Sequence, residues 1–367
     1  MRNNGQDFLM EVKLKGAPSQ NEIEFCVFGR GFGECIIIGI GGEYIIVDSF
    51  INPTTNRPIA LDYLDSIGIN YNTIKEVAIS HWHTDHIYGI SQILEVANQN
   101  VKIALTPLVK QEKFNKFISR SEKVGQYSTK EYIKILEFIE KRGKKCIKYI
   151  VPDTRIFAKE DDIKTEIFAL SPQDIDIADY LSSLILPQVG MVTSYEYPNE
   201  NHLSVVLLIK YLGGGILSGG DLETVSNSMK GWDAVVSNYS HKKTLSSVFK
   251  IPHHGSITGH NELVWKNLLI DKPTSILTTY NKGRRLPSAA DIDRIRKLSS
   301  KFYIVGAKGP IGRERKAIVS EIKKVANTEN VEAVSYNVGM VRWRKDLSNV
   351  SEPKIERFGA VEEINCG

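Results

Sequence analysis

The strongest constraint on this chain is the six-residue run HWHTDH, in which four side chains can bind metal ions. They are His81, His83, Asp85 and His86. Only eight of the 367 residues are histidine, so composition does not explain this density. A buried strand is predicted over residues 76–80 and runs into the cluster. Two histidines at i and i+2 can converge on one ion while the Asp and His that follow turn towards a second. Such ligands suit Zn²⁺, with Mn²⁺ or Fe as alternatives.

The elements predicted around the cluster alternate between strand and helix. Residues 22–48 contain short β-rich runs separated by glycine-rich turns, and residues 59–67 have apolar side chains at helical spacing. The strand at 76–80 is followed by a predicted helix at 90–97 and another strand at 101–105. This order indicates a layered α/β architecture with the histidine cluster on the loop leaving a strand.

Two strands in the second half of the chain end on further candidate ligands. The apolar hairpin of residues 203–218 leads through two glycines to Asp221, and the strand at 247–251 leads to the adjacent pair His253 and His254. Neighbouring side chains on an extended chain face opposite ways, so these two histidines are not expected to bind one ion together.

The domain organisation is predicted from changes in composition along the chain. Residues 1–310 are predicted to form one domain, and the charged helical stretch of about residues 110–145 is interpreted as an insertion into it. Residues 311–367 are more polar and are predicted to be a C-terminal extension packed on the same domain.

Composition excludes several classes of protein. The chain has 47 Lys and Arg against 43 Asp and Glu, a net charge of +4, with 25% charged and 42% hydrophobic residues. These values exclude a disordered chain, a collagen-like repeat and a polycation. The four cysteines have neither zinc-knuckle nor disulfide-framework spacing, the N-terminus lacks a secretory apolar region, and no apolar stretch is long enough to span a bilayer. A cytoplasmic protein without membrane partners is predicted.

With HxHxDH followed in order by a distant His, an Asp and a last His, residues 22–305 resemble the metallo-β-lactamase fold hydrolases. More narrowly, five segments resemble the hydrolase domain of ComEC-type competence proteins and their soluble relatives: FGRGFGECIIIG, IIVDSF, SHWHTDHIYG, NHLSVVLLIKYLGGGILSGGD and IPHHGSITG. The resemblance implies a four-layer αββα sandwich, here with a helical insertion, and two divalent metal ions, Zn²⁺ favoured over Mn²⁺.

The resemblance also implies a role for each matching residue. Three side chains would hold each ion and one would bridge them: His81, His83 and His202 on the first, Asp85, His86 and His254 on the second, and Asp221 between them. Relatives often have Asn near the position of His202, and a surface role is the alternative for that residue. Asp48 matches an aspartate that orients the ligand loop.

The resemblance to the common PGHG motif favours His254 over His253 as the ligand. His253 is then expected, with Asp85, to take part in catalysis by contacting substrate or donating a proton; the alternative is a merely hydrogen-bonded neighbour. His241 and His260 are interpreted as surface residues. The GRGFG run of residues 29–33 precedes a strand and not a helix, which favours a glycine-rich hairpin over a dinucleotide-binding loop.

Two bound cations can activate a shared water for hydrolysis of phosphodiesters, esters, thioesters or lactones. The ComEC-type resemblance favours a phosphodiesterase or nuclease acting on DNA, RNA or a nucleotide, and Lys282, Arg284 and Arg285 lie on a loop that either binds phosphate or is simply solvated. A net charge of +4 does not by itself indicate nucleic acid binding. The alternatives are an ester, thioester or lactone hydrolase, or a metal-containing subunit of a multi-protein, antiphage defence complex with partners from the same operon.

Overall fold

The computed structural model describes residues 4–120, 129–159, 164–184, 199–225, 227, 229–282, 285–309, 320–325 and 335–367. The strands in chain order are β1 (Glu22–Gly29), β2 (Glu34–Ile40), β3 (Glu43–Val47), β4 (Ile51–Asn52), β5 (Arg57–Pro58), β6 (Ile74–Ala78), β7 (Lys102–Leu105), β8 (Ile147–Tyr149), β9 (Thr154–Lys159), β10 (Thr165–Ala169), β11 (Leu207–Tyr211), β12 (Gly214–Ser218), β13 (Ser246–Lys250), β14 (Leu269–Thr278), β15 (Lys301–Val305), β16 (Lys308–Gly309), β17 (Ser335–Tyr336), β18 (Gly339–Asp346), β19 (Lys354–Gly359) and β20 (Val361–Ile364).

The α-helices within this part of the chain are α1 (Asn4–Lys15), α2 (Ile59–Ser66), α3 (Thr84–Ile87), α4 (Ile90–Val96), α5 (Glu112–Arg120), α6 (Thr129–Arg142), α7 (Asp174–Ser183), α8 (Gly231–Ser237), α9 (Glu262–Asn267) and α10 (Ala289–Lys297). No helix among the described residues combines the length and the apolar composition needed to cross a bilayer.

Two eight-stranded sheets form the centre of the protein. The first has the order β19-β18-β1-β2-β3-β6-β7-β8 and the second β20-β15-β14-β13-β12-β11-β10-β9. Their facing sides share one apolar layer, in which Phe25 and Val27 of the first sheet belong with Ile167 and Ile209 of the second. Because both faces of each sheet are covered at its centre, central strands such as β2 and β3 read as nearly continuous apolar runs.

Helices cover the outer face of each sheet. The outer layer of the first sheet includes side chains of α2, α4, α5, α6 and α7, and that of the second includes side chains of α8, α9 and α10. The order helix, sheet, sheet, helix confirms the predicted four-layer αββα sandwich.

The stretch predicted as an insertion contributes α5 and α6, and residues 121–128 between them lie outside the described residues. Phe114 and Ile135 of these helices are buried in the same outer layer as α2 and α4. At the other end of the chain, β18 pairs with β1 in the first sheet and β20 pairs with β15 in the second. Residues 335–367 thus contribute strands to both sheets, while the predicted boundary at residue 310 stays a prediction.

The described parallel strands lie together in each sheet, β3-β6-β7-β8 in the first and β12-β13-β14-β15 in the second. Ligand-binding loops of α/β sheets lie at the carboxyl ends of such strands. The histidine cluster follows β6, while Asp221 and the histidine pair follow β12 and β13. The fold therefore gathers residues from both halves of the chain.

Glu76 of β6 is a buried carboxylate in the first sheet, and its titration should make the stability of the protein depend on pH. It is buried, and Lys148 of β8 approaches it at 3.0 Å. Burial, only partly offset by Lys148, raises the pKa of Glu76 to about 7. Because this is above the unfolded value, the folded chain binds the extra proton, and stability from this group is lost as the pH rises from about 4.5 to 7.

We therefore expect the free energy of unfolding of Glu76→Gln, relative to that of wild type, to rise by about 2–3 kcal/mol between pH 4.5 and pH 8. Urea unfolding at a series of pH values measures the difference. Glu95→Gln, which removes one exposed carboxylate, is the matched control. A wild-type minus Glu76→Gln difference that does not change with pH would contradict the expectation.

Candidate metal centre

The loop after β6 brings the HWHTDH cluster to the end of the first sheet. His81 and His83 precede the short helix α3, which contains Asp85 and His86. His81 Nε2 lies 3.0 Å from His83 Nδ1, and the rings of His81 and His86 are 4.2 Å apart. Three of these side chains are almost entirely buried, and His83 is about a quarter exposed. The spacing that predicted convergence therefore produces a compact imidazole cluster.

Asp221 lies between two histidines that come from different sheets. Its Oδ2 is 3.4 Å from His86 Nε2 and 3.4 Å from His254 Nε2, and Asp85 Oδ2 is 3.7 Å from the same atom of His86. Three sets of ligand atoms each lie within 4.8 Å of one another, and all three contain His86: His81, His86 and Asp221; Asp85, His86 and His254; and Glu34, Asp48 and His86. Asp221 belongs to the first set and also faces His254 of the second.

Two glycines allow this approach of Asp221. Gly220 has a φ of +52°, and a Cβ there would lie 2.8 Å from the Val205 carbonyl oxygen. At Gly219 a Cβ would come within 2.9 Å of Pro252. The turn between β12 and the ligand therefore needs glycine at both positions.

Three buried atoms at the centre have no hydrogen-bond partner among the described residues: His86 Nε2, His254 Nε2 and Asp221 Oδ1. A buried polar atom without a partner costs about 1–3 kcal/mol. A divalent cation coordinated by them would supply the missing interaction, and imidazole with carboxylate is a donor set that Zn²⁺ accepts. The residues present therefore fit bound metal ions.

Hydrogen bonds on the far side of each ring orient the histidines. His86 donates Nδ1–H to Asp48 Oδ2 at 2.7 Å, and Asp48 also accepts from the Ser80 backbone N–H at 2.8 Å. His254 Nδ1 lies 3.1 Å from the Thr278 carbonyl oxygen. These contacts turn both Nε2 atoms towards Asp221, the arrangement by which outer partners orient metal ligands.

Burial and neighbouring charges shift the pKa values of the candidate ligands in different directions. Burial lowers the pKa of His81 well below its ordinary value and also lowers the pKa of His83, so both rings are neutral. Burial alone would raise the pKa of Asp221, but His254 and His86 outweigh it and hold that pKa well below the usual range. Burial would lower the pKa of His86, but the carboxylates of Asp221, Asp85 and Asp48 outweigh it and raise that pKa well above its ordinary value. The site thus offers two neutral imidazoles and an ionised carboxylate, with His86 held among three carboxylates.

The structure does not bring His202 to the other predicted ligands. Its Nε2 lies 3.4 Å from Glu223 Oε2, its side chain is one-third exposed, and no group of metal-binding atoms found among the described residues includes it. Its neighbour Asn201 lines the cavity instead. The short 3-10 turn of Glu200–Leu203 points the side chains of Asn201 and His202 in different directions. Spacing along the sequence does not indicate this turn.

The sequence predicts an extended chain at His253 and His254, and this prediction differs from the structure. They form a 3-10 turn in which both have left-handed φ values, +47° and +51°. His254 faces Asp221, whereas His253 Nδ1 lies 2.8 Å from Glu223 Oε1. Burial would lower the pKa of His253, but the Glu223 carboxylate raises it above its ordinary value. The separate roles predicted for the two rings agree with this geometry.

A buried ion pair lies next to the histidine cluster and was not predicted from the sequence. Lys250 of β13 is fully buried, and its Nζ lies 2.6 Å from Glu34 Oε1 of β2, 3.0 Å from the Gly220 carbonyl oxygen and 3.9 Å from Asp221 Oδ1. Glu34 also accepts a 2.5 Å hydrogen bond from the Thr278 hydroxyl. The pair connects the two sheets directly beneath the ligands.

A cavity of about 420 Å³ opens over the cluster. Its lining includes His83, Asp85, Asp221, His253 and His254. The polar and aromatic side chains around them leave room for a substrate next to the ligand atoms. Lys282 lines this cavity and Arg285 is described and exposed, while Arg284 lies outside the described residues.

Two facing sheets between helical layers, with buried histidines and aspartates at the strand ends, define a metal-binding αββα protein. Residues 28–260 match the family model of the Metallo-beta-lactamase superfamily. The chain belongs to this superfamily, whose members are metal-dependent hydrolases. The broader of the two resemblances is thereby confirmed, and the narrower one, to ComEC-type proteins, stays a prediction.

Solved structures of this superfamily are similar to the chain at low identity. YhfI, a metallo-beta-lactamase fold protein from Bacillus subtilis, is 12% identical over 77% of this chain and 95% of its own, with a TM-score of 0.42. MEM-A1, a subclass B3 metallo-beta-lactamase from a soil metagenome library, is 11% identical over 64% and 78%, with a TM-score of 0.35. The hydrolase AbOPH is 16% identical over 51% and 55%, with a TM-score of 0.30. No curated protein matches the chain.

Proposed function

We propose that this chain is a dinuclear metal-dependent phosphodiesterase or nuclease. The observation that supports it most directly is Asp221, which lies in one set of candidate ligands with His81 and His86 and whose Oδ2 is also 3.4 Å from His254, a member of the set with Asp85. A carboxylate shared in this way suits a bridging ligand between two cations. His81 and His83 complete one side of the site, and Asp85 completes the other.

Two bound cations would lower the pKa of a water held between them and stabilise charge on the attacked centre. The chain's own residues would do the rest. His253 faces the cavity beside His254, with its Nδ1 held by Glu223 and its Nε2 3.2 Å from Asn201 Nδ2. To donate a proton to the leaving oxygen, Nε2 would exchange the contact with Asn201 for one with the substrate. Lys282 at the cavity wall would attract the anionic diester.

The resemblance to ComEC-type domains supports DNA, RNA or a nucleotide as substrate over an ester, thioester or lactone. The proposal extends to a cytoplasmic location and to protein partners encoded in the same operon. Zn²⁺ is the favoured metal, with Mn²⁺ as the alternative.

Metal analysis combined with cleavage assays on single-stranded DNA, RNA and bis(p-nitrophenyl) phosphate tests the proposal. We expect His81→Ala and Asp85→Ala each to lose metal and to slow phosphodiester cleavage by about 10²-fold or more, because each removes a ligand. His241→Ala and Asp153→Ala change a His–Asp pair 3.5 Å apart that does not line the cavity, and should leave both measurements unchanged.

Phosphodiester cleavage at the wild-type rate in both ligand variants would contradict the proposed mechanism. Hydrolysis of p-nitrophenyl acetate or a lactone, with no diester cleaved by wild type, would assign the same centre to the alternative substrate class.

A further inference from the structure

The cavity over the metal centre has two unlike sides. One side is polar and its residues are joined by hydrogen bonds: Asn201, Glu223, His253, Ser256 and Thr258. The other side is largely apolar and aromatic, with one cation: Phe32, Tyr280, Lys282 and Leu286. The metal ligands lie between them, so a substrate centred on those ligands would place one substituent against each side.

Two loops from different sheets build the aromatic side. Phe32 lies in the GRGFG turn between glycines whose φ values are +84° at Gly31 and +132° at Gly33. The Asn281 backbone N–H donates to the Gly31 carbonyl oxygen at 2.7 Å, which ties this turn to the loop after β14. The rings of Phe32 and Tyr280 are consequently 5.9 Å apart at an interplanar angle of 57°, so they form two adjacent, tilted aromatic faces.

This surface is fixed against the metal centre. The Tyr280 ring lies 5.1 Å from the His254 ring at an interplanar angle of 32°. Backbone hydrogen bonds of 2.9 and 2.8 Å in both directions join Tyr280 to Leu286. Phe32 and Tyr280, here called the aromatic platform, are thus held in place without substrate, with the Tyr280 ring in contact with a predicted metal ligand.

Lys282 adds a positive charge to the platform. Its Nζ lies 4.8 Å from the centre of the Phe32 ring, within the range of a cation–π contact. Its long side chain is exposed, so the ammonium group can follow an anionic group bound beside the ring. An aromatic surface with an adjacent cation suits a ligand that is both planar and anionic.

We propose, resting on the phosphodiesterase function above, that the platform of Phe32 and Tyr280 binds a nucleobase next to the scissile phosphate, with Lys282 paired to a phosphate oxygen. Every nucleobase has a π-face, and stacking on an aromatic side chain is worth about 1–3 kcal/mol per base. The substrate class is therefore a phosphodiester that carries an unpaired nucleobase, either a nucleotide or a single strand, because a base within a duplex is already stacked.

Two esters with the same leaving group isolate the base from the chemistry. We expect wild type to cleave thymidine 5′-(p-nitrophenyl phosphate) with a kcat/KM at least about tenfold above that for methyl p-nitrophenyl phosphate. Phe32→Ala and Tyr280→Leu should each lower this ratio about 5-fold to 20-fold. Comparing ratios within one protein removes differences in metal loading and folding.

Tyr149→Ala is the matched control. Tyr149 also has a lysine over its ring, Lys110 Nζ at 3.5 Å, but does not line the cavity. The ratio and both rates should match wild type. A wild-type ratio near one, or a ratio unchanged in both platform variants, would overturn the platform and leave the phosphodiesterase function intact.

Failure of the proposed function gives a different result, in which wild type cleaves neither ester. Calorimetric binding of thymidine 5′-monophosphate and of ribose 5-phosphate then decides the inference. Tighter binding of the nucleotide that is lost in Phe32→Ala supports the platform, and equal binding of the two probes overturns it. If wild type cleaves diesters, two substrates distinguish the possible sources of the base. Faster cleavage of an oligothymidylate indicates a single strand, and faster cleavage of the thymidine dinucleotide indicates a free nucleotide.

Discussion

Replacing Asp221 with alanine is expected to abolish both metal binding and hydrolysis. Its carboxylate lies in the set with His81 and His86 and also faces His254 at 3.4 Å, so the change removes a ligand placed between the two proposed ions. Metal ions supply several kcal/mol of transition-state stabilisation, and about 4 kcal/mol corresponds to a thousandfold in rate. We expect kcat/KM for a phosphodiester to fall at least about a thousandfold, with metal content falling from about two ions per chain to one or none.

Elemental analysis, initial rates and circular dichroism on the same preparations measure this effect. Asp271→Ala changes an exposed aspartate in β14 and serves as the control for loss of a carboxylate. Full metal content with near-normal activity in Asp221→Ala would show that this carboxylate does not bridge the ions.

Replacing Lys250 with methionine is expected to destabilise the metal-free protein by about 3–5 kcal/mol. The substitution preserves most of the volume but leaves the Glu34 carboxylate, which is 1% exposed, without its partner at 2.6 Å. Breaking one side of a buried ion pair costs far more than removing both charges. We therefore expect the double variant Lys250→Met with Glu34→Gln to recover at least about 1–2 kcal/mol of the loss.

Urea unfolding in the presence of a chelator measures this effect separately from metal binding. Lys210→Met breaks a matched but partly exposed pair with Glu166 and should cost no more than about 1 kcal/mol. If the double variant is no more stable than Lys250→Met, the pair is not the source of the loss.

Local spacing was enough to predict that several candidate ligands lie together. The HxHxDH run predicted His81, His83, Asp85 and His86 as neighbours, and the sets of candidate ligands in the structure contain His81, Asp85 and His86. The fold class followed from the alternation of strands and helices, together with the family resemblance. These features depend on short-range order, which periodicity reports well.

Contacts between distant segments could not be predicted in the same way. Lys250 lies at the end of a strand and reads as an ordinary charged residue, because its partner Glu34 is in the other sheet. The strand predicted to start at residue 203 begins only at Leu207, because the Val205 N–H donates to Ser80 of the ligand loop at 3.1 Å and not to a neighbouring strand. That local departure also places Asn201, and not His202, in the cavity wall.

The pairing of β1 with β18 has a consequence for how the protein is made. Residues 22–29 hydrogen-bond to residues 339–346, so β1 waits for a partner strand that is synthesised about 310 residues later. Until then one long edge of β1 has unpaired backbone groups, and such edges readily pair with other chains. Synthesis at about 5–20 residues per second leaves that edge open for tens of seconds. Aggregation during synthesis, before any metal is bound, is therefore the main hazard that the order of strands in this sheet creates.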